Sequence, residues 1–160
     1  MNYNIDQIIE EKQDYEVLQW FASRIEAGEQ LHPVEEIPAQ IFQIDFAYRN
    51  GFVDLLWSDL VNLVYDGLPA LEACGFQPAI VATQELQSAL NKYNIFELLQ
   101  TTEEPICSLD EKGRDALLDE ASKLEQKHDV ISREFSRGLL EAGFAYVQNN
   151  LGVYRSNNLG

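Results

Sequence analysis

Apolar residues in this chain recur three and four positions apart almost from end to end, and nowhere do they alternate with period two. A spacing of three and four places side chains on one face of an α-helix, whereas strands need alternation, so the pattern predicts an all-α fold. Ile5, Ile8 and Ile9, then Leu18, Phe21, Ala22 and Ile25, form the first such stripes, and they stop before Gly28, a residue suited to a helix C-terminus. Lys12-Gln13-Asp14 can divide this region into two helices, or one helix can run through it.

Pro33 and Pro38 mark a loop followed by a helix start, which predicts a helix over about Glu36–Arg49, with Ile41, Phe42, Ile44, Phe46 and Tyr48, ending at Asn50-Gly51. Phe52 to Val64 is densely apolar, broken by Asp54, Ser58, Asp59 and Asn62, and reads as one or two central helices with an N-cap at Ser58 or Asp59. Gly67 and Pro69 can kink or split what continues to Gly75, the expected C′ glycine. Pro78 opens another helix with Ile80, Val81, Leu86, Ala89 and Leu90 on its buried side. Ser108-Leu109-Asp110-Glu111 matches a capping box, so a helix runs from there to about Lys127, and a last helix covers roughly Val130 to Val147, presenting Ile131, Phe135, Leu139, Ala142 and Tyr146.

A chain of 160 residues, 46% of them hydrophobic, is long and apolar enough for one core. The expectation is a single compact acidic domain of about seven helices over residues 1–150, followed by a polar tail, 151–160, without helical period. No apolar run reaches the roughly 20 residues a membrane span requires, and the start Met1-Asn2-Tyr3-Asn4 lacks a basic n-region, so the reading is cytoplasmic.

Charge narrows the partners. Asp and Glu number 27 against 11 Lys and Arg, and the excess is uneven: residues 1–100 carry 16 acids and 4 bases, residues 101–160 carry 11 and 7. A surface this negative repels nucleic acid and anionic lipid, and attracts a basic protein. Cys74 and Cys107 are too few for a metal cage or disulfide framework, and His32, read as a loop residue, and His128, near a helix end, have no ligand-spaced neighbours, so neither metal nor cofactor is expected. Gly-rich phosphate loops, nucleophile elbows and zinc-protease motifs are absent from the sequence. Asp54 and Asp59, within an apolar stretch, are the pair nearest to a general acid and base, but a carboxylate pair alone is not a catalytic constellation, and the chain is read as non-enzymatic.

The acids have a second reading. Asp59, Asn62 and Asp66 fall on one face if a single helix covers them, and carboxylates at such spacing, roughly 5–6 Å apart, begin to imitate a phosphate row. Glu35 and Glu36, Asp54 and Glu72 add to this display, which makes Glu35, Glu36, Asp54, Asp59, Asp66 and Glu72 the candidate partner-binding residues. Solvated helix faces are also rich in acids, so solubility alone is the competing explanation.

The segment from Asp45-Phe46-Ala47-Tyr48-Arg49-Asn50-Gly51-Phe52 through Trp57-Ser58, followed by Ala70 to Gly75 and Ala79-Ile80-Val81, resembles a bacterial family of small, acidic, all-helical proteins that includes a DNA mimic. About 35 residues carry the likeness. The family has Asn-Gly-Gly-Phe where this chain has Asn50-Gly51-Phe52, and an aromatic pair where it has Leu56-Trp57. In the fold, Asn50-Gly51 supplies a turn with positive φ available, and Phe52 and Trp57 are expected to anchor the next helix in the core. What the resemblance implies is binding to a DNA-binding protein, a helix-turn-helix repressor, in competition with DNA. The alternative from another class is an immunity protein that neutralises a basic toxin such as a nuclease. Exposed aromatics, with Trp20, Tyr65 and Tyr154 as candidates, would support a homodimer.

Overall fold

The computed structural model describes residues 4–157, so the polar start Met1-Asn2-Tyr3 and residues 158–160 of the tail lie outside the described residues. All regular structure among them is helical: α1 (Ile5–Glu11), α2 (Asp14–Glu26), α3 (Pro33–Tyr48), α4 (Gly51–Trp57), α5 (Leu63–Asp66), α6 (Leu68–Cys74), α7 (Gln77–Asn91), α8 (Ile95–Leu98), a 3-10 turn (Pro105–Ser108), α9 (Glu111–Lys127), α10 (Arg133–Asn149) and α11 (Leu151–Asn157). The expected all-α class holds, but about seven helices is too few. Gly67 with Pro69 separates α5 from α6, and short α8 and α11 are too brief to show a period in sequence.

Helix α3 is the hub, with α2, α10, α6 and α4 packed around it, while α9 lies across α4 and α7. One close approach between helices is at Gly143 of α10, where a Cβ would meet Ile41 Cγ2 at 2.8 Å and Leu18 Cδ1 at 2.9 Å, so only glycine lets α10 sit this close to α2 and α3. Phe21, Tyr48, Phe52 and Tyr154 are the largest fully buried side chains, with Tyr48 edge-on to Phe52 at 5.2 Å and Phe21 tilted on Tyr154 at the same separation.

Local chemistry explains where helices start and stop. Lys12 and Gln13 do separate α1 from α2, and the left-handed Gly28 (φ +82) and Gly75 (φ +71) follow helix ends as anticipated. Helix α3 begins three residues earlier than expected, because Pro33 occupies its first turn and His32 is its N-cap: His32 Nδ1 accepts from Val34 N–H at 3.2 Å, while Glu35 Oε1 accepts from His32 N–H at 3.2 Å. Pro38 is consequently inside the helix. Ser58 ends α4 instead of opening a helix, its hydroxyl donating to Leu55 O at 2.7 Å, and Asn62 rather than Asp59 precedes α5. Asp110, not Ser108, caps α9 by accepting from Gly113 N–H at 2.7 Å, and Ser132 caps α10, which starts three residues after Val130.

Two expectations about the core fail. Trp57 is 48% exposed, because the inward face of α4 is set by Phe52, Leu55 and Leu56, and a residue five positions after Phe52 points elsewhere. Phe46, Val81 and Ile131 are likewise exposed. Conversely, the tail read as polar and without helical period forms α11 through Asn157, and its Tyr154 is 2% exposed.

Candidate partner-binding acidic surface

The six acids singled out from sequence do not behave alike. Asp54 on α4, Asp59 in the turn after it, Asp66 at the end of α5, Glu72 on α6 and Glu36 in the first turn of α3 are all exposed. Glu35 is buried. Its carboxylate accepts from Arg24 Nη1 at 2.6 Å as well as from His32 N–H, and Arg24 also pairs with Glu29 at 2.8 Å and lies 4.7 Å over the Trp20 ring. Glu35 is therefore a cap and an interior ion-pair partner, and its removal from the display set is a correction.

The single helix assumed for Asp59, Asn62 and Asp66 does not exist. Residues 58–62 form turns between α4 and α5, so Asp59 belongs to a different element from Asp66, whose carboxylate accepts from Asn62 Nδ2 at 3.2 Å. What distinguishes this region is the lack of counter-charge along the chain. Between Arg49 and Lys92 there is no lysine or arginine. Outside that interval, Arg24, Arg49 and Lys92 are tied to Glu35 and Glu29, Asp45, and Glu120 respectively. Among the described residues up to position 100, Lys12 is the one lysine or arginine without an acidic partner.

Folding adds residues that the sequence reading passed over. Phe96 of α8 stacks edge-on against Tyr65 of α5 at 5.1 Å and is itself exposed, and the Tyr65 hydroxyl donates to Asn91 Oδ1 at 2.9 Å. Burial, with the charge of Glu97 beside it, pushes the Tyr65 phenol up to about 12. Glu97 and Phe96 thus stand next to Asp66's helix, an acid and an aromatic on one rim, although no local motif announces them. Of the aromatics named for self-association, Tyr154 is interior, Trp20 is half-buried against Phe21 and Arg24, and Tyr65 is half-buried under Phe96.

Three further acids are structural or paired. Asp45, 2% exposed, accepts from Ser136 Oγ at 2.5 Å and from Arg49 Nη2 at 2.8 Å, linking α3 to α10. Glu125 of α9 is buried against the start of α4, accepting from Val53 N–H at 3.4 Å; desolvation raises its pKa, the Val53 bond opposes this, and the charge of Asp54 adds to the rise. Glu85 receives His128 Nε2 at 2.6 Å and Lys127 Nζ at 3.0 Å, which hold its carboxyl below the usual range.

The chemistry available is that of unpaired carboxylates. Asp54 and Asp59 are both exposed. Among the described residues no group of three or more His, Cys, Asp or Glu is arranged to hold a metal ion, and no helix is long and apolar enough to cross a membrane. Cys74 is half-buried, with burial pushing its thiol up to about 12, and Cys107 is exposed; both are free. No protein-family model, no curated protein and no solved structure matches this chain.

Proposed function

We propose that this protein is a non-enzymatic acidic interaction protein that binds a DNA-binding protein, a helix-turn-helix repressor in class, through the acids of α4–α6 and Glu36, and so competes with DNA. The observation that carries this reading is the interval between Arg49 and Lys92, which contains no lysine or arginine and leaves Asp54, Asp59, Asp66 and Glu72 exposed without an ion pair. Acids kept only for solubility are usually interspersed with bases on the same face. Basic side chains that meet phosphates on DNA can meet carboxylates here, with association that is fast and falls as salt rises. Exposed Phe96 and Trp57 supply apolar contact to a partner that charge alone would not hold in register.

The test is competition. The chain is used to capture partners from its native lysate, and the captured DNA-binding protein is then titrated, on its labelled DNA, with the wild-type chain and with the Asp59→Lys, Asp66→Lys double variant. Displacement of DNA that weakens tenfold or more in the variant, with unchanged circular dichroism, supports the reading. Equal displacement by both, or capture of a nuclease toxin whose activity is quenched, rejects it, the latter in favour of an immunity role.

A further inference from the structure

A shallow groove of about 610 Å³ lies between the first turns of α10 and the junction of α1 with α2, on residues that the acidic display does not use. Arg133 and Arg137 line it, together with Tyr15, which is 43% exposed, and with Asp14 and Glu141. Neither guanidinium has an ion pair or hydrogen bond to any described residue, although this chain carries 27 acids and Glu141 stands one turn beyond Arg137. Their placement is locally unfavourable on two counts. Like charges four apart on a helix repel, and Arg133 sits at the positive end of the α10 dipole, while Asp14 and Glu141 in the same lining make no ion pair with either guanidinium. Such conflict between local electrostatics and fold is what a ligand site looks like when its ligand is absent from the balance.

We propose that this groove binds a small phosphomonoester attached to a planar ring, a nucleoside monophosphate in class. A carboxylate has two oxygens in one plane and is satisfied by one guanidinium fork. Two arginines whose Cβ atoms are roughly 6 Å apart suit a phosphoryl group, whose three terminal oxygens point in different directions. Tyr15 offers a ring face for stacking. Asp14 and Glu141 at the edges accept from ligand hydroxyls and repel further phosphates, which selects a monophosphate over a polyphosphate or a nucleic acid. The volume lies in the range of small-molecule sites.

Isothermal titration of the full chain with adenosine monophosphate, inorganic phosphate and adenosine triphosphate tests this. Adenosine monophosphate binds at least tenfold more tightly than either of the others; Arg133→Gln with Arg137→Gln weakens it tenfold or more at unchanged helicity, and Tyr15→Ala brings its affinity down to that of inorganic phosphate. Absence of binding at millimolar adenosine monophosphate, binding no tighter than inorganic phosphate, or affinity unchanged in the double arginine variant overturns the proposal. These outcomes are independent of DNA competition, because none of the groove residues belongs to the acidic display.

Discussion

The Tyr154 hydroxyl donates to the backbone carbonyl of Val34 at 3.0 Å, across 120 residues of sequence, and it does so at the one carbonyl that Pro38 leaves without a helical partner. In α3 the N–H of residue 38 would bond to Val34 O, but proline has none. The C-terminal helix therefore repairs the third. Burial holds the Tyr154 phenol far above its ordinary pKa, so it remains a donor throughout the accessible pH range.

Removing that hydroxyl should be costly in proportion to what it repairs. Tyr154→Phe is expected to destabilise by about 1–2 kcal/mol, since a partly buried carbonyl loses its donor. Pro38→Ala restores an N–H for the same carbonyl, so the double variant should lose less stability than the two single losses combined. Chemical denaturation of the four proteins gives the coupling; strictly additive losses would mean that the bond and the proline are unrelated.

Gly51 and Glu125 make a second long-range dependence. Gly51 has φ +92, and a Cβ there would lie 2.0 Å from Glu125 Oε2 and 3.1 Å from Ile131 Cδ1, so Gly51→Ala combines left-handed strain of about 1–2 kcal/mol with displacement of a buried carboxylate. Glu125 itself has a pKa raised above its usual 4.5 by desolvation. A carboxyl whose folded pKa is raised contributes fully below its unfolded value and loses that contribution as pH rises through the folded value. Glu125→Gln should accordingly be more stable than wild type at pH about 7 and lose this advantage at pH about 4. An advantage that grows on acidification would refute the assignment of desolvation as the dominant cause.

Adjacent residues Glu35 and Glu36 should part company. Glu35→Ala leaves Arg24 with Glu29 alone and uncaps α3, which is expected to cost about 3 kcal/mol, the lower end for breaking a buried pair because Arg24 keeps one partner. The melting temperature falls by roughly 6–12 °C on that figure. Glu36→Lys, on the exposed side, should leave melting within about 2 °C, as surface substitutions do, while weakening partner binding. Equal melting temperatures for the two variants would place Glu35 on the display after all.

That contrast marks the limit of what could be read from residues in order. Gly28 and Gly75 announce helix ends because positive φ is a local demand that glycine meets, and the helical class follows from spacing repeated over many turns. His32-x-x-Glu35 hides its capping box because histidine is an unusual cap, so Glu35 looks no different from its neighbour. Glu125 and Gly51 meet across 74 residues, and Phe96 meets Tyr65 only because α8 folds back on α5; no window along the chain contains both members. Tyr154 sits in a seven-residue helix, too short to display a period, and its burial is set by Phe21 and by the gap at Pro38. The exposure of Trp57 is of the same kind, since three inward residues had already taken the apolar face of α4.

Salt should move stability and partner binding in opposite directions. The formal charge is −16, so folding concentrates negative charge, and screening relieves that repulsion. It also weakens the pairs Lys92–Glu120, Lys123–Asp119 and Lys127–Glu85, but these are solvent-exposed and contribute little, whereas the uncompensated acids between Arg49 and Lys92 act through the whole field. Raising ionic strength from about 0.01 M to about 0.15 M shortens the screening length from roughly 30 Å to roughly 8 Å, which is below the span of the domain. The melting temperature is expected to rise over that range, while affinity for a basic partner falls. A melting temperature that drops with salt would mean that the exposed pairs outweigh the net charge. A partner affinity indifferent to salt would mean that the apolar rim at Phe96 and Trp57, not the acids, carries the contact.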